Sequence, residues 1–180
     1  MSVAVLALAT LYIYDSVSAN NTEKTLEKFV DEFIKEIEVI DIEDKKDIKI
    51  SGYTIIGYIE IPKIDLKYPI IKYIDDKSLW KAINHYSGPD LNEYGNVVLA
   101  GHKARNGTMF SKINKLKKGD IVKITDSSGR TIEYKVINSY RVDPNNTKIL
   151  EGTDETRELT LFSCTSDLKN RYVVKLIENN

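Results

Sequence analysis

The sequence predicts a mainly β protein, folded as a closed barrel or a two-sheet sandwich. Short runs rich in Ile, Val, Tyr and Thr follow residue 52, and turn-forming residues separate them. The regular alternation of strands with long helices that marks a βαβ fold does not occur in this stretch. The chain has 180 residues, which is enough for one domain with an appendage and a core that needs no disulfide or metal.

Seven segments after residue 52 are predicted to be strands. They are residues 54–61, 67–73, 96–100, 120–125, 131–142, 158–164 and 171–177. Two short helical signals, at 78–84 and 108–116, interrupt them. The Asp-Ser-Ser-Gly stretch at 126–129 is typical of a hairpin turn, so the strands that flank it are expected to pair antiparallel.

An amphipathic helix is predicted ahead of these strands. Apolar residues recur at three- and four-residue spacing between Glu23 and Ile40, and Asn20 with Glu23 resembles a capping box. Charged residues occupy the opposite face and are expected to be solvated. The apolar stripe either packs on the following domain or meets a partner or a membrane surface. Residues 41–52 are charged and end in glycine, which predicts a linker.

The first residues form an uncharged segment. Residues 2–14 carry no charge, but they are fewer than the roughly 20 needed to cross a bilayer. No basic residue precedes them, as a signal peptide would require. The segment is interpreted as the remnant of a membrane anchor or, alternatively, as a buried strand or helix. We therefore divide the chain into an apolar segment (1–19), a helix with its linker (20–52) and a β-rich domain (53–180).

Composition excludes several classes of function. Apolar residues make up 42% of the chain and charged residues 29%, with 26 basic against 27 acidic side chains and a net charge of −1. This balance gives no electrostatic indication of nucleic acid binding and no polybasic membrane patch. A single cysteine excludes an internal disulfide, and with only two histidines it argues against a zinc site built from Cys and His.

Three residues are candidates for chemistry. Cys164 ends a predicted strand; it is either a small buried hydrophobe or a nucleophile, which would need a nearby cation to favour the thiolate. His102 follows an apolar run and Gly101, and Arg171 begins the strand after Cys164. Taken singly, His102 is equally a structural residue at a strand end, and Arg171 an exposed residue at a strand start. His85 is predicted to be a structural residue of a surface loop.

Together these residues resemble the sortase family of Gram-positive cysteine transpeptidases. The string TLFSC at 160–164, the arginine at 171 and the string AGH at 100–102 follow the family's order. Residues 57–64 (GYIEIPKI) resemble the opening strand of the sortase barrel. Residues 96–102 (NVVLAGH), followed by GTMF at 107–110 and LKKGD at 116–120, resemble its strand, histidine loop and short helix. The match runs from Gly57 to the C-terminus.

The resemblance implies a sortase-like closed β-barrel of about eight strands and a set of residue roles. Cys164 would attack the threonine carbonyl of an LPxTG-like sorting signal and form a thioacyl enzyme. His102 would act as general acid and then as general base. Arg171 would stabilise the oxyanion, with the backbone amide after Cys164 as a second donor. The residues expected to line the substrate site are Thr160, Ser163 and Thr165.

The resemblance also implies partners and a location. The expected substrates are sorting-signal proteins and an amine of a peptidoglycan precursor or a pilin subunit. The expected location is the extracellular face of a membrane, to which the N-terminal segment anchors the enzyme. Ser163 replaces the family's usual threonine, and the connection from Cys164 to Arg171 is short. The barrel is not preceded by an aromatic Asp-Pro lid motif, and residues 143–157 are too few for the long helix of class B. These departures favour class A or D over class B or C.

Two other functions remain open on the sequence. A cysteine peptidase that uses water as the acceptor would share the nucleophile and the histidine, and a non-catalytic surface-binding module would bury the cysteine. No cofactor is predicted. Calcium is the alternative, since carboxylates in loops provide the oxygen ligands that it takes, although such residues are otherwise solvated. The acidic residues in question are Asp143, Glu151, Asp154 and Glu155.

Overall fold

The computed structural model describes residues 48–104, 107–165 and 167–180. It also describes five helical positions with exposed side chains, Asn21, Lys24, Lys28, Asp31 and Lys35. The apolar segment 1–19, the apolar stripe of the predicted N-terminal helix and residues 41–47 lie outside the described residues. Across the described part of the chain, no helix has the length and apolar character needed to span a bilayer.

Nine strands and four short helices form the described fold. The strands are β1 (Ile48–Ile50), β2 (Tyr53–Ile61), β3 (Leu66–Ile71), β4 (Ile83–Ser87), β5 (Gly95–Ala100), β6 (Ile121–Asp126), β7 (Thr131–Val142), β8 (Arg157–Cys164) and β9 (Arg171–Glu178). The helices are one α-helical turn at Asp76–Leu79 and 3₁₀ helices at Pro62–Ile64, Phe110–Lys115 and Thr147–Leu150.

Eight of these strands close into a barrel, as the resemblance predicts. The order is β2-β3-β4-β5-β8-β9-β7-β6, and β6 pairs back onto β2, while β1 adds to the sheet beside β2. The pairs β3–β4 and β5–β8 are parallel, and the other described pairs are antiparallel. The predicted hairpin is confirmed, because the Gly129 amide donates to the Asp126 carbonyl at 3.0 Å between antiparallel β6 and β7.

Apolar side chains pack on both sides of β5 and β8. The larger cluster fills the barrel and includes Leu99 and Leu161. A smaller cluster lies on the outer face and consists of Val98, Ala100, Ile149, Phe162 and Val173. All six residues of β5 are buried, as expected for a strand with apolar neighbours on both faces.

Part of the predicted linker is a strand. Ile48 and Ile50 are buried while Lys49 between them is exposed, and the three residues pair with β2. The prediction of a linker up to residue 52 was therefore wrong for residues 48–50. The alternation of one apolar and one polar residue outweighs the charge of the segment once β2 provides a pairing partner.

The helical signal at 78–84 is only partly confirmed. The helix covers Asp76–Leu79, where Asp75 and Ser78 form a reciprocal capping box. Ile83 and Asn84 instead begin β4 and pair with β3. The second helical signal, at 108–116, is a 3₁₀ helix at Phe110–Lys115.

His85 lies in β4 rather than in the predicted surface loop. Its ring is half-buried, and Nε2 lies 2.9 Å from the Pro89 carbonyl oxygen. The polar residues Asn84, His85 and Ser87 weaken the sequence signal for a strand. The strand nevertheless pairs with β3 on one side and with β5 on the other. The structural role predicted for His85 fits this hydrogen bond.

Candidate active site

Strand register brings three of the predicted site residues to one edge of the sheet. Parallel β5 and β8 pair as far as Ala100 with Phe162, and the Gly101 amide donates to the Phe162 carbonyl at 3.2 Å. His102 and Cys164 thus each lie two residues beyond this last pair. Antiparallel β9 places Arg171 opposite Cys164. Because β5, β8 and β9 are neighbours in this order, the order along the edge is His102, Cys164, Arg171. Neighbouring strands are about 4.8 Å apart.

Cys164 and Arg171 project from the same face of the sheet, because directly opposed residues of an antiparallel pair share a face. Phe162, two residues before Cys164, shares it too. The Arg171 guanidinium carbon lies 5.1 Å from the centre of the Phe162 ring, and its Nε donates to the Pro144 carbonyl at 3.3 Å. These contacts hold a cation beside Cys164, whose side chain is only half-buried.

His102 lies under an aromatic side chain. The ring centres of His102 and Trp80 are 4.0 Å apart, with 37° between the planes. Burial lowers the pKa of His102 and so favours the neutral imidazole. Its Nε2 is buried and makes no hydrogen bond to any described residue. A buried nitrogen without such a partner is unusual in a folded protein and agrees with a functional role for the imidazole.

The chain around His102 is held by close packing. The Phe110 amide donates to the His102 carbonyl at 3.1 Å and ties the end of β5 to the 3₁₀ helix. A Cβ at position 101 would lie 2.7 Å from Ile83 Cδ1 and from two ring atoms of Phe110. Only glycine permits this approach, since a glycine in or beside a strand lets another chain segment come close to the backbone.

Two of the three predicted lining residues border a cleft beside Cys164. The cleft is open to solvent, and Ser163, Cys164 and Thr165 line it together with Lys103 and Arg141. Ser163 points to the opposite face from Cys164, because successive strand residues alternate. Ser163 and Thr165 are nearly fully buried, so little of either side chain reaches the cleft.

Thr160 does not lie beside Cys164. Its side chain is fully buried, and its hydroxyl donates to Asn96 Oδ1 at 2.7 Å. Thr160 shares the outer face with Phe162 and Cys164, but it lies four residues before the cysteine and is absent from the lining of the cleft. Its placement is that of a residue that orients Asn96.

The amide after Cys164 is already used, contrary to the expectation that it serves as an oxyanion donor. The Thr165 N–H donates to the Asn170 carbonyl at 2.9 Å. The Thr165 hydroxyl donates to Asp167 and accepts from the Asn170 amide. These bonds close the short β8–β9 turn and so place Arg171 opposite Cys164. The turn that aligns Arg171 thus consumes the backbone donor.

The acidic residues considered for calcium do not assemble. Within residues 48–104, 107–165 and 167–180, no three His, Cys, Asp or Glu side chains form a group that could hold a metal ion. All four residues lie in the connection between β7 and β8. Of Glu151, the backbone carbonyl oxygen accepts hydrogen bonds, from Asn96 and Lys175.

Sequence reasoning missed the aromatic residues around the site. Trp80 contributed only to a helical signal, although it is the single tryptophan of the chain and remains 65% exposed above His102. Phe162 was detectable, because a residue two positions before a strand-end nucleophile lies on the same face. Pro144 was not, since its contact with Arg171 joins residues 27 positions apart.

Comparisons with known proteins identify the family of the chain. The sortase-domain family model matches residues 59–177. Sortase A of Bacillus anthracis is 32% identical over 164 residues, covering 88% of this chain and 75% of that protein. Sortase D of Bacillus subtilis is 32% identical over 126 residues, covering 66% of this chain and 61% of that protein.

A solved structure supports the same assignment. The Clostridium perfringens sortase D5 transpeptidase superimposes with a TM-score of 0.69 at 29% identity, over 88% of this chain and 98% of that one. The relatives include sortases A and D, the two classes favoured by the sequence, and also a sortase C and a sortase E1, so the comparisons leave the class open. With a barrel of eight strands that closes as predicted and a family model that matches residues 59–177, the chain belongs to the sortase family.

Proposed function

We propose that this chain is a cysteine transpeptidase that cleaves an LPxTG-like sorting signal and joins the released acyl group to an amine. The observation that carries the proposal is the alignment of His102, Cys164 and Arg171 on three neighbouring chain segments at one edge of the barrel. Membership of the sortase family supports the reaction class.

In the first half-reaction, Cys164 acts as nucleophile. Its thiolate attacks the threonine carbonyl of the sorting signal, and an S–C bond forms as the peptide C–N bond breaks. His102 as imidazolium protonates the leaving amine. Arg171 donates to the developing oxyanion. Because the Thr165 amide is already bonded to Asn170, Arg171 carries a larger share of this stabilisation than a site with two donors would require.

In the second half-reaction, an amine replaces the thiol. Neutral His102 takes a proton from the incoming amine, whose nitrogen attacks the thioester carbonyl. The new C–N bond forms, the S–C bond breaks, and the Cys164 thiolate is regenerated. The lowered pKa of His102 favours this base role at neutral pH. The same shift reduces the imidazolium fraction that the first half-reaction needs, so the two steps place opposite demands on one ring.

We further propose the partners and the location implied by the family resemblance. Sorting-signal proteins supply the acyl group, and a peptidoglycan precursor or a pilin subunit supplies the amine. The enzyme acts at the extracellular face of the membrane, anchored through residues 1–19, with 20–47 as helix and connection. The uncharged run at 2–14 supports the anchor. The strand at Ile48–Ile50 belongs to the sheet, so the proposed catalytic domain begins at residue 48.

Product analysis tests the reaction type. The enzyme and its Cys164→Ala variant are incubated with a panel of LPxTG-like peptides, with and without oligoglycine and diamine acceptors, and the products are identified by mass spectrometry. The proposal predicts an amine-ligated product that depends on Cys164 and increases with acceptor concentration. Free acid as the sole product across all acceptors would favour the hydrolase. Peptide binding without cleavage would favour the binding module.

A further inference from the structure

One connection crosses the outer face of the sheet beside the proposed active site. Residues 143–156, here named the crossing segment, join β7 to β8, although β9 lies between these strands. The segment leaves Val142, which pairs with Arg171 at the Cys164 end, and enters Arg157 at the opposite end of β8. It therefore runs the length of β8, about 26 Å at 3.3 Å per residue.

The crossing segment covers apolar residues next to the site. Ile149 is buried in the outer-face cluster with Phe162 and Val173, and Leu150 packs against this cluster. The carbonyl of Pro144, near the start of the segment, accepts the hydrogen bond from Arg171. The segment thus contacts the proposed oxyanion donor directly and also through the Phe162 ring on which that donor stacks.

Two side chains converge on the same two carbonyls of the segment. Lys175 Nζ donates to the Ile149 carbonyl at 2.9 Å and to the Glu151 carbonyl at 3.3 Å. Asn96 Nδ2 donates to the same oxygens at 3.1 and 3.0 Å. The Thr160 hydroxyl bonded to Asn96 Oδ1 fixes which way the Asn96 amide points. Both carbonyls are thereby held by a charged and a neutral donor at once.

The position of Lys175 is unusual for a lysine. The side chain extends from β9 over the outer face, and burial lowers its pKa, while Glu158 on β8 and Glu151 in the segment act in the opposite direction. Lysine is rarely buried without a partner because desolvating the ammonium is costly. Here the backbone carbonyls of the crossing segment offset that cost, so the ammonium and the segment stabilise each other.

We propose that Lys175 and Asn96 form a clamp that fixes the crossing segment against the barrel and so shapes the substrate-binding surface beside Cys164 and Arg171. The inference rests on the proposed function. Lys175 is a positioning residue, because it acts through the segment. Loss of the clamp affects binding of the sorting signal more than the reactivity of Cys164.

Kinetics of a Lys175→Met variant test the clamp. The expected result is a fall of about tenfold in kcat/KM for an LPxTG-like peptide, equivalent to about 1.4 kcal/mol, carried mainly by KM. Lys175→Arg keeps a charged donor and is expected to recover part of the loss. Lys123→Met is the matched control, since Lys123 forms an exposed ion pair with Glu133 on the far side of the barrel sheet.

The pH dependence provides a second readout. As the pH rises, the Lys175 ammonium loses its proton earlier than an ordinary lysine, and the clamp loses its charged donor. KM of the wild type is therefore expected to rise in the alkaline range, whereas KM of Lys175→Met and Lys175→Arg lacks this rise. Glu158 and Glu151 are the acidic groups that face Lys175. An identical alkaline rise in all three proteins would overturn the assignment.

Hydrogen exchange separates the clamp from the proposed reaction. In Lys175→Met, the amides of residues 147–152 are expected to exchange faster while β8 and β9 keep their protection. Gly152→Ala provides an independent variant, because its Cβ would lie 2.4 Å from Asn96 Cβ and push the segment away without altering Lys175. Wild-type exchange and wild-type KM in both variants would overturn the clamp. If both variants exchange faster and the wild-type enzyme turns over no sorting peptide, the clamp is upheld and the proposed function is overturned.

Discussion

Replacing Gly101 by alanine tests whether close packing before His102 sets the geometry of the site. The added Cβ would lie 2.7 Å from Ile83 Cδ1 and equally close to the Cδ2 and Cγ atoms of Phe110. The end of Ile83 can rotate, but the Phe110 ring is 1% exposed and packed in the barrel core. Either the ring or the backbone at 101 must therefore move.

The structure sets the size of the effect. Overpacking of this kind costs about 1–3 kcal/mol. At about 2–4 °C per kcal/mol for a chain of this length, the expected fall in Tm is about 2–12 °C. Because the Phe110 amide bonds to the His102 carbonyl, movement of the ring also displaces the imidazole. A misplacement of about 1 Å is enough to reduce turnover about 100-fold.

Thermal unfolding and single-turnover thioester formation measure the two effects separately. Adding Phe110→Leu to Gly101→Ala removes the ring atoms and is expected to recover part of the rate. Ile59→Val is the stability control, since it truncates a fully buried residue of β2 at a cost of about 0.5–1.5 kcal/mol and is expected to keep the wild-type rate. A Gly101→Ala enzyme with wild-type Tm and rate would refute the packing argument.

Three further predictions concern charge, pH and a buried hydrogen bond. Arg171→Lys is expected to lower kcat by about 100-fold, because an ammonium lacks the planar pair of donors; the control is Arg130→Lys, and equal rates in both would contradict this role. Burial lowers the pKa of His102, so the unfolded chain binds this proton first. The contribution of neutral His102 to the free energy of unfolding is complete above about pH 6.5 and is lost as the pH falls through the folded-state pKa. The free energies of unfolding in urea of wild type and His102→Gln should therefore diverge on acidification. Parallel pH dependences of the two proteins would count against this prediction. Tyr134→Phe removes a buried hydroxyl that donates to Asn92 at 3.2 Å, and calorimetry should show a loss of about 1–3 kcal/mol with kcat unchanged; an unaltered Tm would argue against this bond.

The barrel was predictable because its strands carry a strong local pattern. The runs that became β2, β7 and β8 alternate or bury apolar residues that local propensity already favours in strands. The strand β4 was not predictable, since Asn84 and Ser87 weaken its pattern. Its stability comes from pairing with both β3 and β5, which is a tertiary effect.

The candidate site, like the barrel, was predictable from the sequence only in part. His102, Cys164 and Arg171 were identified from short strings whose order matches the family, and register then aligned them at one edge. The clamp was not accessible to sequence reasoning, because Lys175 meets the Ile149 carbonyl across 26 positions. The sequence also did not indicate that the Thr165 amide donates to the Asn170 carbonyl. A hydrogen bond within a tight turn leaves no signal in the composition.

The most direct test of the central claim is intact-mass analysis of the enzyme after brief reaction with an LPxTG-like peptide and quenching in acid. The account predicts a mass increase equal to the acyl part of the peptide, released by hydroxylamine, in the wild type but not in Cys164→Ala, and formed more slowly in His102→Gln. A wild type that forms no adduct with any peptide, and whose Cys164 resists iodoacetamide in the folded state, would contradict the assignment of Cys164 as nucleophile.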